Sequence, residues 1–178
     1  MVLEDRERLE RAYRERVDAY EGVDDDFRDR WLAWCRVLLA HGGDLVVPPI
    51  GPEPDLDALL AGAIVQPSPA AELDLGGNCH AHVAKLWMDG IAAGVGTGYG
   101  LIGGLWRQHS WAVDPDGALR ETKQRHERYV GMTLAAGEPT VRFALNNYEE
   151  DVRAFLHSGS PRAAEVIRVL EAVRDRHS

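Results

Sequence analysis

Two residues suited to nucleophilic chemistry, Cys79 and His109, stand in motifs of different character. Gly76-Gly77-Asn78-Cys79-His80-Ala81-His82 runs directly into the apolar-periodic stretch Val83 to Met88. The pattern predicts a helix from about 79 to 89, with Cys79 in its first turn. Unpaired amide hydrogens and the positive end of the helix dipole favour an anion there. A thiol so placed titrates below its free pKa of about 8.5, as a sulfur nucleophile requires. Gln108-His109-Ser110-Trp111 follows in a segment that reads as a strand.

A third group comes from the turn beyond that strand. Asp114-Pro115-Asp116-Gly117 suits a type I turn closed by a left-handed glycine, a three-residue hairpin loop that pairs Asp114 with Ala118. In that register Trp111 faces Glu121 and His109 faces Lys123, and alternation sends all four side chains to one side. Glu121 becomes the diagonal neighbour of His109, about 7–8 Å away at the backbone, whereas Asp114 projects to the other side. A two-residue loop would put Thr122 in the place of Glu121. The expected roles are Cys79 as nucleophile, His109 as base and proton donor, and Glu121 as the carboxylate orienting the imidazole. The oxyanion would be met by the Cys79 amide and one side-chain donor, with Asn78, Gln108 and Gln66 as candidates. Trp111, on the histidine's face, would shield the ring from water.

Asn78-Cys79-His80, His109-Ser110-Trp111 on a strand, a turn, and Glu121-Thr122 near Tyr129-Val130-Gly131 together resemble the papain-like and transglutaminase-like cysteine hydrolase superfamily. The resemblance spans about residues 76–134. It implies a cysteine at a helix start, with histidine and an acidic or amide residue on adjacent antiparallel strands. It also implies that Cys79, His109 and Glu121 carry over as nucleophile, base and orienting acid. The chain departs from the pattern in lacking a Cys-Gly-Ser-Cys-Trp signature and a glutamine shortly before Cys79.

The elements that must position these groups are mostly helical. Leu9, Tyr13, Val17 and Tyr20 form one stripe of a charged helix over about 3–20, and Asp24-Asp25-Asp26 opens a second over about 26–41. Phe27, Trp31, Trp34, Cys35, Leu38 and Leu39 give the second helix its apolar face, with Cys35 expected to be a buried core thiol. Prolines at 48, 49, 52, 54, 67 and 69 break the next segment into extended pieces around a short helix at 55–64. Gly98-Tyr99-Gly100-Leu101-Ile102-Gly103 has dinucleotide-binding spacing, but a helix precedes it and a strand follows, the reverse of what that motif needs. Glycines that let a strand pass close to the site explain it better. Strands are expected at 101–106, 108–113, 118–123 and 128–134, then helices at about 147–157 and 161–177, with Asn146 and Asn147 as caps. The expected fold is α+β, helices packed around a small antiparallel sheet. It forms one domain: an N-terminal helical part (1–43), the catalytic-like core (76–134) and C-terminal helices (139–178).

The totals limit the function classes. The chain has 178 residues, 45% of them hydrophobic, and a formal net charge of −9. That length supports a core without staples, and the acidity argues against nucleic acid or an anionic membrane as partner. Two cysteines make no disulfide framework, the N-terminus has no secretory apolar core, and no run reaches the length of a membrane span. Cytoplasm is therefore the expected compartment. The histidines lack partners at zinc spacing, so no metal or cofactor is expected. The expectation is a thiol enzyme acting on a peptide, isopeptide or small-amide bond through a thioester. Its rival is a non-catalytic ligand-binding or regulatory domain on the same fold.

Overall fold

The computed structural model describes residues 3–177. In chain order the elements are α1 (Leu3–Asp18), α2 (Asp25–Leu39), β1 (Leu45–Val46), α3 (Leu56–Gly62), β2 (Ile64–Val65), β3 (Ala71–Glu72) and α4 (Cys79–Met88). There follow β4 (Gly94–Ile102), β5 (Leu105–Val113), β6 (Leu119–Glu121), β7 (Arg128–Thr133), α5 (Glu138–Asn147), α6 (Val152–Leu156) and α7 (Pro161–Arg176). Seven helices and an open seven-stranded sheet among the described residues make the fold mixed α/β. Strand order is β2-β7-β4-β5-β6-β3, with β1 paired to β5. The sheet is mixed rather than wholly antiparallel, because β1 runs parallel to β5 and β3 parallel to β6. These short strands come from the proline-rich segment, whose prolines limit each extended piece to a couple of ladder positions.

Glycine determines how β4 and β5 meet. Ile102 ends one strand and Leu105 begins the next, and the two residues between them, Gly103 and Gly104, have φ of 56° and 78°. Both central positions of a two-residue type I′ turn need such angles. The sequence-based strand boundaries were therefore displaced: the glycine run belongs to β4, and Arg107 interrupts nothing. The tight turn pairs Tyr99 with Gln108 and Gly96 with Trp111. Gly94, Gly96 and Gly100 consequently leave their positions on β4 open to side chains, while a Cβ on Gly98 would run into the Val130–Gly131 backbone of β7. A methyl group on Gly96 would overlap the Trp111 indole, so the missing side chain is what lets that ring lie flat over the strand.

The contacts fall into two compact units. The first runs to Gln66 and includes Gly98–His109 and His126–Met132. Its core is the predicted face of α2, Phe27, Trp31, Trp34 and Leu38, packed with Tyr20, Tyr99, Leu101, Trp106 and Val130. Full burial of a side chain such as Leu38 contributes about 2–3 kcal/mol. Asp24 caps α2 by accepting from the Phe27 amide. Cys35 lies at the margin of this core, half-buried, rather than within it. Trp106 Nε1 donates to Gly42 O at 2.7 Å, tying the glycine pair after α2 to β5.

The second unit comprises Pro67–Thr97, Ser110–Arg125 and the chain from Thr133 onward. Here α4 packs on α5, and α5 on α7. Arg162 fastens α7 to the end of α4: its guanidinium lies 4.1 Å from the Trp87 ring, and it donates to Trp87 O and Ala92 O. The C-terminal helices differ from expectation. α5 occupies 138–147, so Asn146 and Asn147 finish a helix instead of capping one, and Asn147 Nδ2 donates to Phe143 O. The next helix begins only after Asp151, which accepts from the amides of Arg153 and Ala154. Ser160 caps α7 as its sequence predicts.

Candidate functional site

Cys79 is the first residue of α4. Gly76 and Gly77 have φ of 67° and 59°, a left-handed pair that turns the incoming chain onto the helix axis. Asn78 is the N-cap, and its Oδ1 accepts from the His80 amide at 3.0 Å. Cys79 thereby occupies the first turn of α4, directly after its cap. The thiol is buried, at 8% exposure, and is not in a disulfide. Asn78, a candidate oxyanion donor, has its oxygen committed to the cap, and its Nδ2 reaches toward Glu149 Oε1 at 3.5 Å.

The hairpin register is the one that the turn sequence prescribes. Ala112 pairs with Arg120 and Val113 with Leu119, and Asp114 N donates to Ala118 O. One step further along the same ladder, Trp111 stands opposite Glu121. Asp114 projects to the other side, where its carboxylate receives Arg120 Nε and Nη2 at 2.9–3.2 Å. Glu121 is fully buried, and its Oε1 accepts from the amides of Thr122 and Lys123, both at 2.9 Å. These two bonds hold the carboxylate in place.

His109 belongs to the first unit, as do Gln108 and Gln66. Its ring lies against that of His126, tilted by 42° with centroids 4.2 Å apart, and both rings lie near Tyr129, at 6.0 and 5.5 Å. Tyr129 Oη accepts from the His126 amide. Gln108, next to His109, sends its amide to Glu53 Oε2 at 2.9 Å, and Tyr99 Oη donates to the same oxygen at 2.9 Å. Glu53 is 4% exposed, and burial pushes its pKa up against the opposing pull of the Tyr99 hydrogen bond. Gln66 Nε2 donates to Gly131 O at 2.7 Å. Of the three proposed oxyanion amides, then, Gln108 and Gln66 each already donate elsewhere. Trp111 is fully buried over Gly96, a wall in the second unit.

Sequence reasoning gave three participants no part in the thiol site. His126 was readable as the ring for which Gly100 leaves room, but only once both positions were known to be neighbours. Glu53 sits in the proline-rich segment with no local signal. Ser110, beside the histidine, has its Oγ 2.5 Å from His80 Nδ1, a contact no spacing rule predicts.

Comparison with protein-family models, with curated proteins and with solved structures gives no match. The functional reading therefore rests on the residues themselves. Among the described residues no helix is long and apolar enough to cross a membrane.

Proposed function

We propose that the protein is a thiol-dependent acyl-transfer enzyme of papain-like or transglutaminase-like type, working in a reducing cytoplasm on a peptide, isopeptide or small-amide bond. Cys79 is the nucleophile, His109 the base and Glu121 the group that orients the imidazole. His109 takes the Cys79 proton and the sulfur adds to the carbonyl carbon. The tetrahedral oxyanion is met by the Cys79 amide. As it collapses, the carbon–nitrogen bond breaks, the imidazolium returns its proton to the departing amine, and a thioester remains. Water or a second amine then adds to the thioester, His109 accepts its proton, and the thiol is released.

The observation that carries this reading is Cys79 at the first position of α4, introduced by two left-handed glycines and a side-chain cap. The pairing that sets Trp111 opposite Glu121 supports it, because alternation along β5 then gives Glu121 and His109 a common face. A test is the rate of Cys79 alkylation by iodoacetamide across pH 5–9, followed by peptide mapping. The expected profile has a reactive thiolate below the ordinary thiol range that His109→Ala abolishes. A Cys79 no faster than free cysteine, unchanged by His109→Ala, would favour a binding domain that keeps only the fold.

A further inference from the structure

The residue after the proposed nucleophile is hydrogen-bonded to the residue after the proposed base. His80 Nδ1 lies 2.5 Å from Ser110 Oγ. Ser110 is fully buried and His80 half-buried. The His80 ring is held from another side by Phe143 of α5, edge-on with centroids 6.2 Å apart. Its backbone amide is fixed by the Asn78 cap. His80 is thus clamped at backbone, ring edge and ring nitrogen, more restraint than a solvated first-turn histidine needs.

We infer that the His80–Ser110 hydrogen bond is a positioning device, which locks the first turn of α4 to β5 and so sets Cys79 against His109 for proton transfer. The inference rests on the thiol–imidazole reading above. One peptide unit separates each partner from a reacting residue, so the bond acts on the two backbones, not on the sulfur or the imidazole. Near-attack geometry is sensitive to displacements of about 1 Å, which can cost on the order of a hundredfold in rate. A slack α4 start would leave both reactive groups present and mutually misaligned. Asn78 cannot perform this task, since its side chain caps the helix from within and reaches no strand.

The test uses the full-length protein and measures the rate of Cys79 alkylation by iodoacetamide near neutral pH. Ser110→Ala and His80→Ala should each slow it about tenfold or more. Ser110→Thr keeps the hydroxyl, and His80→Asn keeps a polar atom where Nδ1 sits, so both should retain most of the rate. In a His109→Ala background Ser110→Ala should have no further effect, because a shift of the two backbones slows the thiol only while there is an imidazole to be misaligned with it. Thermal unfolding of every variant separates misalignment from loss of fold. Conservative and non-conservative variants that fall equally, or a Ser110→Ala effect that persists without His109, would overturn the positioning role alone. A His109→Ala protein as reactive as the unaltered one would overturn the parent reading and this one with it.

Discussion

Gly100 and the His126 ring compete for one space: a methyl group on Gly100 would lie 2.6 Å from His126 Cδ2. The bare strand lets the imidazole settle on β4, where it lies tilted against His109 at 4.2 Å and hangs from Tyr129 Oη by its own amide. The run of alternate glycines in β4 is in this light a cleared face, and Gly96 under Trp111 repeats the device.

Gly100→Ala should therefore damage the imidazole pair before it damages the fold. Overpacking at one such position costs about 1–3 kcal/mol. His126 is half-buried rather than enclosed, so the stability loss should sit at the low end. The His109 ring, deprived of the neighbouring ring it leans on, should lose its fixed orientation. Cys79 alkylation and the thermal midpoint, measured together, check this: a small shift in midpoint with a large fall in rate is the expected pair. A large midpoint shift with no change in rate would make His126 a packing residue only.

Glu121 allows a sharper separation of orientation from support. Its Oε1 accepts two backbone amides, and a glutamine keeps a carbonyl oxygen for both. Glu121→Gln should leave the fold within about 1 kcal/mol and lower the rate on the order of a hundredfold, as when a general base loses its partner. Glu121→Ala should lower the rate comparably and also strand two buried N–H groups, each costing about 1–3 kcal/mol. Chemical denaturation beside an amide-turnover or alkylation assay reads both quantities. Loss of stability and rate in equal measure for the glutamine variant would mark the carboxylate as structural.

What the sequence disclosed was local, and what it withheld was not. Asp114-Pro115-Asp116-Gly117 prescribed its own loop, and the Ala112–Arg120 pairing followed from it, because a hairpin register depends on residues next to one another. Cys79 at a helix start was legible for the same reason. β1, β2 and β3 were not, since two-residue strands owe their existence to distant partners such as Leu105 and Val130. α5 was missed because Asn146 and Asn147 look like caps. Pro139 in the first turn and the Val141–Ala144 spacing were the better signals. At the site, Glu53, His126 and the His80–Ser110 bond required folded coordinates, as each joins positions that chain distance keeps apart.

Glu53 predicts a pH dependence whose sign is set by its burial. Its folded pKa is raised above the ordinary value of 4.5, desolvation being the first cause. The folded state therefore holds the proton more tightly than the unfolded one. Its contribution to stability is complete below about the ordinary value and is lost as pH rises through the raised one. Tyr99, in contact with it, is itself pushed well above the usual phenol range by burial and then by Glu53. Glu53→Gln removes the titration and retains an oxygen for Tyr99 and Gln108. Unfolding midpoints across pH 4–8 should fall more steeply with pH for the unaltered protein than for this variant. Parallel curves would show that Glu53 is charged in both states and costs nothing to ionise.

The two cysteines make opposite predictions under denaturant, which exposure alone would not. Cys79 is the less exposed of the two, yet it is the first residue of a capped helix. Burial pushes the Cys35 thiol up to about 12, against an ordinary value of 9.0. That difference leaves Cys35 about a thousandfold poorer in thiolate near neutral pH than the same residue in an unfolded chain. Unfolding should speed labelling of Cys35 steeply, since it restores an ordinary thiol. On the proposed thiol–imidazole reading the same unfolding removes the helix end and the base from Cys79, so its labelling should slow even as access improves. Iodoacetamide labelling at pH 7.5 across a urea series, resolved by peptide mapping, should show the two rates converging from opposite directions at the unfolding midpoint. If both rates rise together, Cys79 is a shielded thiol with no activation, and the helix start that introduces it serves the fold alone.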